Sequence, residues 1–168
     1  MGSPTYLPIA TWTASNSSST SVDFQSIPAT MRDIVVVINA KSSDASTERN
    51  LFYRLNNDTT SGNYFGISFY AFTSGNTSGI FNSTPDIMYM PRSGDAFGVS
   101  TMQLMDYSTT DKQKTMLQRF NTKGSPTDLA GMAAVRWANT AAVNRITFFT
   151  TSGAIAQGST ISIFGIAG

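Results

Sequence analysis

The chain of 168 residues carries eleven basic and ten acidic side chains, a net charge of +1, only 12% charged residues, and neither cysteine nor histidine. A chain of this length buries roughly 70% of its unfolded surface as one domain, so residues 1–168 read as a single unit that needs no disulfide or metal to fold. Balanced, sparse charge argues against a nucleic-acid partner, and no run of about eighteen apolar residues offers a membrane span.

From the N-terminus, "MGSPTYLPIA" lacks the basic start and apolar centre of a signal peptide, so release into the cytoplasm of the cell that makes it is expected. Short alternating runs follow. "SVDF" puts Val22 and Phe24 on one face, and "DIVVVINA" is a continuous apolar run that suits a strand buried on both sides. "NLFYRLN" sets Leu51, Tyr53 and Leu55 against Phe52 and Arg54. "YFGISFYAF" sets Phe65, Ile67, Phe69 and Ala71 against Tyr64, Gly66, Ser68, Tyr70 and Phe72. "AFGVSTMQLM", "KTMLQRF", "NRITFFT" and "STISIFGI" continue the pattern, with Gly, Asn, Ser and Pro clusters between them. About eight to eleven strands are expected at this spacing, as an all-β, antiparallel, jelly-roll-like β-sandwich.

"TDLAGMAAVRWAN" invites a helix capped by Thr127 or Asp128. Yet Ala133, Val135 and Trp137 alternate with Met132, Ala134 and Arg136, and Gly131 disfavours a helix interior, so a strand is expected. The chain ends on "GSTISIFGIAG" with no stalk or anchor in view, which reads as a free-standing domain.

Chemistry is thinly provided. Without histidine or cysteine, Ser-His, Cys-His and His-containing zinc arrangements are closed, and phosphate-cradling glycine motifs do not occur. Nine aspartates and one glutamate remain. A glycosidase needs two facing carboxylates roughly 5 to 9 Å apart, but aspartates at strand ends and in turns serve more simply to cap their own backbone. In "NLFYRLNNDTTSGNY" the spacing fails a calcium loop, since Asn57, Thr59 and Ser61 fall where carboxylates belong. Arg54 is expected on the wetter face, pairing with a turn carboxylate such as Asp58, and "NNDTTSGN" is expected to be a hairpin connection. No catalytic, cofactor or metal site is expected.

Lys112, Lys114 and Arg119 read as a solvated strand edge guarded by lysine. Trp12 and Trp137 suit the core better than a sugar platform. Ile80 and Phe81 are bulky inside polar "SGNTSGIFNSTPD"; either they open an inward strand or they form a contact knob for a partner.

"VDFQSIPATMRDIVVVINA", "NLFYRLNNDTTSGNY" and the terminal "GSTISIFGIAG" together resemble virion proteins of tailed, cyanophage-like bacteriophages. The matching elements are Ser26-Ile27-Pro28, Ile34 to Ile38, Leu51 to Asp58 and Gly158 to Ile166. "VRWANTAAVNRITFF" likewise resembles that group's penultimate region, making Asn139 to Ala142 a connection. The resemblance implies a β-sandwich virion structural protein of the capsid decoration (cement) or tail-fibre type, generally trimeric and without catalytic residues. The leading expectation is therefore a capsid decoration protein on the outer capsid surface, with the major capsid protein and copies of itself as partners. The alternative is a receptor-binding head or tail-fibre component that recognises a host surface glycan. No nucleic acid, membrane or cofactor is expected.

Overall fold

The period-two alternation is realised as strand after strand. A computed structural model describes residues 5–72, 75–81, 85–123 and 128–167, and among them it contains twelve strands and no helix. In chain order they are β1 (Tyr6–Thr13), β2 (Ser21–Phe24), β3 (Asp33–Ala40), β4 (Arg49–Leu55), β5 (Tyr64–Phe72) and β6 (Gly75–Phe81). The second half supplies β7 (Asp86–Met90), β8 (Gly98–Met105), β9 (Lys114–Thr122), β10 (Leu129–Trp137), β11 (Ile146–Phe149) and β12 (Thr160–Ile166). The number exceeds the eight to eleven expected. β6, "GNTSGIF", is mostly polar and glycine-rich, so its sequence looks like a loop while its backbone pairs in full register with β5.

Eight strands form one antiparallel sheet in the order β1-β12-β3-β8-β9-β10-β5-β6, and four form the other, β2-β11-β4-β7. Within this lies the jelly-roll wrap: β1 pairs with β12, β2 with β11, β3 with β8 and β4 with β7. The inserted β5–β6 and β9–β10 pairs widen one sheet and leave the other at four strands.

The core fills the space between the sheets. Ile34, Val36 and Ile38 of β3, Leu104 of β8, Met116 of β9 and Trp137 of β10 meet Leu51, Tyr53 and Leu55 of β4 and Ile146 and Phe148 of β11, all fully buried. Each large apolar side chain so buried contributes about 1.5–3 kcal/mol. β10 is a strand, as Gly131 suggested. A Cβ there would sit 2.7 Å from Phe120 and 2.7 Å from Tyr70, so only glycine lets the neighbouring strands close up. Trp137 is fully buried and stacks on Tyr64 with ring centroids 6.5 Å apart, whereas Trp12 is half-buried against the core.

Three expectations are corrected. "DIVVVINA" is not buried on both faces, because Val35 and Val37 point outward and are only half-buried. "NNDTTSGN" is not a hairpin connection: it carries the chain from β4 in the small sheet to β5 in the large one. Asn56 and Asn57, with φ of 49° and 58°, make that bend in the left-handed region asparagine tolerates. The Asn56 side chain fastens the bend, donating to Ala142 O at 2.8 Å and accepting from Asn144 N at 3.0 Å. Finally, β9 is no lysine-guarded edge but an interior strand between β8 and β10. Lys114 is fully buried, and its ammonium donates to Thr109 O (2.7 Å), Lys112 O (2.9 Å) and Thr140 O (3.2 Å). Burial lowers its pKa, but the three carbonyls supply what water would have supplied.

Candidate functional site

Asp58 and Arg54, the pair that first looked chemical, do not join. Asp58 accepts from Trp137 Nε1 (2.7 Å), Asn63 Nδ2 (2.7 Å) and Thr60 N (2.8 Å). Burial raises its pKa, but the donors from Asn63, Thr60 and Trp137 outweigh that and hold it at about 2. Arg54 lies instead over the Phe149 ring, 4.2 Å from its centroid, on the outer face of the small sheet. The Asp58 carboxylate is a fastener between the sheets, with its lone pairs already engaged.

Among the described residues no group of three or more acids is placed to hold a metal ion. Glu48 is the acid whose pKa rises, through burial and the nearby Asp95 carboxylate, with Arg92 opposing. It lines neither of two broad depressions of the surface.

Those depressions lie on the outer face of the eight-stranded sheet, and strand register builds that face. Directly opposed residues of an antiparallel ladder share a face. One outward row therefore runs Phe164, Val35, Gln103, Leu117, Ala134, Ile67, Ile80 across seven strands. The next runs Ser162, Val37, Thr101, Arg119, Met132, Phe69, Ser78. Tyr6, Phe65, Ile67, Phe69, Val99, Leu117, Met132 and Ile80 are exposed large apolar residues, with Met132 at 57% and Ile80 at 74%. On β5 the bulky residues Phe65, Ile67 and Phe69 face outward, while Gly66 and Ser68 face the core. That inverts the usual allocation for a strand with one wet face.

One depression, about 820 Å³, opens toward Val99 and Ala71; the second, about 540 Å³, opens toward Tyr6, Val35 and Ile67. Both are walled by Phe69, Thr101, Arg119 and Met132. The polar neighbours are partly engaged. Gln103 Nε2 donates to Asp33 at 3.0 Å, and Asn121 Oδ1 accepts from Val99 N at 3.3 Å. Arg136 lies over the Phe65 ring at 5.8 Å. Among the described residues no carboxylate lines either depression.

Of the two residues singled out from sequence, Ile80 belongs to this face, beside Ile67 at its β6 edge. It is a surface projection and not the start of an inward strand. The side chain of Phe81 lies outside the described residues. Sequence reasoning had the alternation of Phe65, Ile67 and Phe69 but not its direction, and it placed Arg119 on a solvated edge. The signal that bears on both is the lack of charge: the strands of the large sheet contain one carboxylate, Asp33, which is itself buried.

No protein-family model and no curated protein matches the chain. Among solved structures, the chain is similar to exo-inulinase from Aspergillus awamori at 12% identity over 95% of this chain, with a TM-score of 0.40; it spans only 29% of that enzyme. It is similar to the Ruminococcus gnavus IT-sialidase CBM40 bound to α2,6-sialyllactose, at 10% identity over 93% of this chain and 92% of that one, with a TM-score of 0.37. It is also similar to the tripod from the baseplate of bacteriophage Tuc2009, at 12% identity over 96% of this chain and 64% of that one, with a TM-score of 0.25.

Proposed function

We propose that the protein is a phage virion structural component, in the first place a capsid decoration protein that cements neighbouring capsomers, and that it is not an enzyme. The observation that carries this is the outer face of the eight-stranded sheet. Exposed apolar residues scattered singly are ordinary, but Leu117, Met132, Ile67, Phe69 and Ile80 cluster on four adjoining strands, and such a cluster marks a contact surface. A cement protein adds buried area at several sites at once, so linked contacts of modest strength suffice. In this reading the face covers part of the major capsid protein or a neighbouring copy of the chain, in a homotrimer on the outer capsid surface. Mixing the purified protein with undecorated shells tests it: co-sedimentation and a raised melting temperature of the shells are expected. Failure of both removes the reading.

A second reading, a receptor-binding or tail-fibre component for a host glycan, draws on Tyr6, Phe65 and Phe69, exposed aromatics on the same face that could stack on sugar rings. Specific retention on a glycan array with no association with shells would favour it.

A further inference from the structure

We infer that the groove across the outer face of the large sheet, centred on Arg119, takes an extended, carboxylate-bearing peptide segment of a partner protein. The inference deepens the docking proposal above and rests on its choice of face.

Arg119 is exposed and makes no hydrogen bond or ion pair among the described residues. It stands where the two depressions meet, with Thr101 on one flank and Met132 and Phe69 on the other. With strands about 4.8 Å apart, Thr101 and Phe69 are about 14 Å from each other across that row, and the depressions continue to either side. An elongated occupant fits such a space better than a compact one.

Charge sets its chemistry. Outward-facing cations are Arg119 and Arg136, and the one carboxylate in the sheet's strands, Asp33, is buried and accepts from Gln103 Nε2 and from Asp106 N at 3.0 Å each. A partner that covers the face without leaving the guanidinium unpaired must bring an acceptor, and a carboxylate matches its fork of donors. Around that acceptor the partner must be apolar, to match Phe69, Met132, Leu117 and Ile67. Alternation of acidic and apolar side chains is a peptide's chemistry. A sugar would need many hydrogen-bond partners, yet Gln103 and Asn121 are already partly engaged, and next to Arg119 in its row stand one hydroxyl, Thr101, and the apolar Met132.

Fluorescence anisotropy on the full chain tests this with three probes: a twelve-residue peptide alternating leucine and aspartate, its leucine–lysine counterpart, and polygalacturonate. The aspartate peptide should bind at least about tenfold tighter than the lysine peptide, with the gap narrowing as salt rises. Arg119→Glu should abolish or reverse the preference, Arg119→Gln should level it, and neither should shift thermal unfolding. Equal binding of the two peptides, binding of neither, or an aspartate preference that survives Arg119→Glu each overturns the inference. Arg119-dependent binding of polygalacturonate alone overturns the peptide assignment and favours an acidic glycan. Shells that bind wild type and Arg119→Glu equally remove this inference and leave the docking proposal. Peptide selectivity without shell binding does the reverse.

Discussion

Asp58 and Arg119 each set a charge among aromatic and apolar neighbours, at opposite ends of a contrast. Asp58 is surrounded by donors: the indole of Trp137, the amide of Asn63 and the backbone of Thr60 saturate it. Arg119 has a groove around it and no partner among the described residues. A charge that builds the fold is compensated by its own chain, because an uncompensated one costs stability when solvent leaves. A charge left open on an apolar face contributes little to folding, and under the proposed docking its use is to meet a partner. The two regions should therefore respond oppositely to substitution: the corner through stability, the groove through association.

The largest effect is expected where the corner meets the core. Trp137→Ala deletes a fully buried indole, unstacks Tyr64 and removes one donor from Asp58, so urea denaturation should show a loss of about 3–5 kcal/mol. Trp137→Phe keeps a ring but loses the N–H and should cost less, about 1–3 kcal/mol. Equal costs would mean that the ring's packing adds little and that the indole N–H to Asp58 holds the corner.

A smaller, pH-dependent effect follows from the carboxylate. In the folded chain Asp58 titrates at about 2, below its ordinary value of 3.8, so the unfolded chain takes up the proton first as pH falls. Its contribution to stability is complete above about pH 4 and is lost as pH drops through 2. Asp23 and Asp44 are also lowered, Asp23 chiefly by Arg145 and Asp44 chiefly by the backbone N–H of Ser46, so the acid limb of wild type is shared. The readout is the difference: urea midpoints of Asp58→Asn should fall less steeply between pH 4 and pH 2 than those of wild type. Parallel curves would show that the Trp137, Asn63 and Thr60 donors do not favour the charged form.

The β class and several inward rows were legible in sequence, because one face of β2, β4 and β10 alternates as a half-buried strand must. β6 was not, since glycine, serine and threonine give no period and only its pairing with β5 makes it a strand. The corner was misread because a left-handed Asn-Asn bend signals a tight turn equally well inside one sheet or between two. Lys114 was misread because the local string cannot reveal that carbonyls of Thr109 and Thr140, from two separate loops, converge on one ammonium. The groove was half visible. Alternation in β5 sorts its residues into two sets, but which set meets the core depends on where the four-stranded sheet lies.

The smallest effect on stability is expected on the outer face, and it is the sharpest test of the contrast. Met132 is on the same strand as Trp137 but points the other way and is 57% exposed. Met132→Ser should change urea stability by no more than about 0.5 kcal/mol, since the side chain is already largely in water. If the groove is a contact surface, the same substitution should weaken docking to shells, because an anchor is then missing from the centre of the patch. A loss of stability comparable to that of Trp137→Ala would mean that the outward row is part of the folding core. No change in either measurement would mean that the apolar rows of the large sheet are incidental, and the partner-facing role of this face would fall with them.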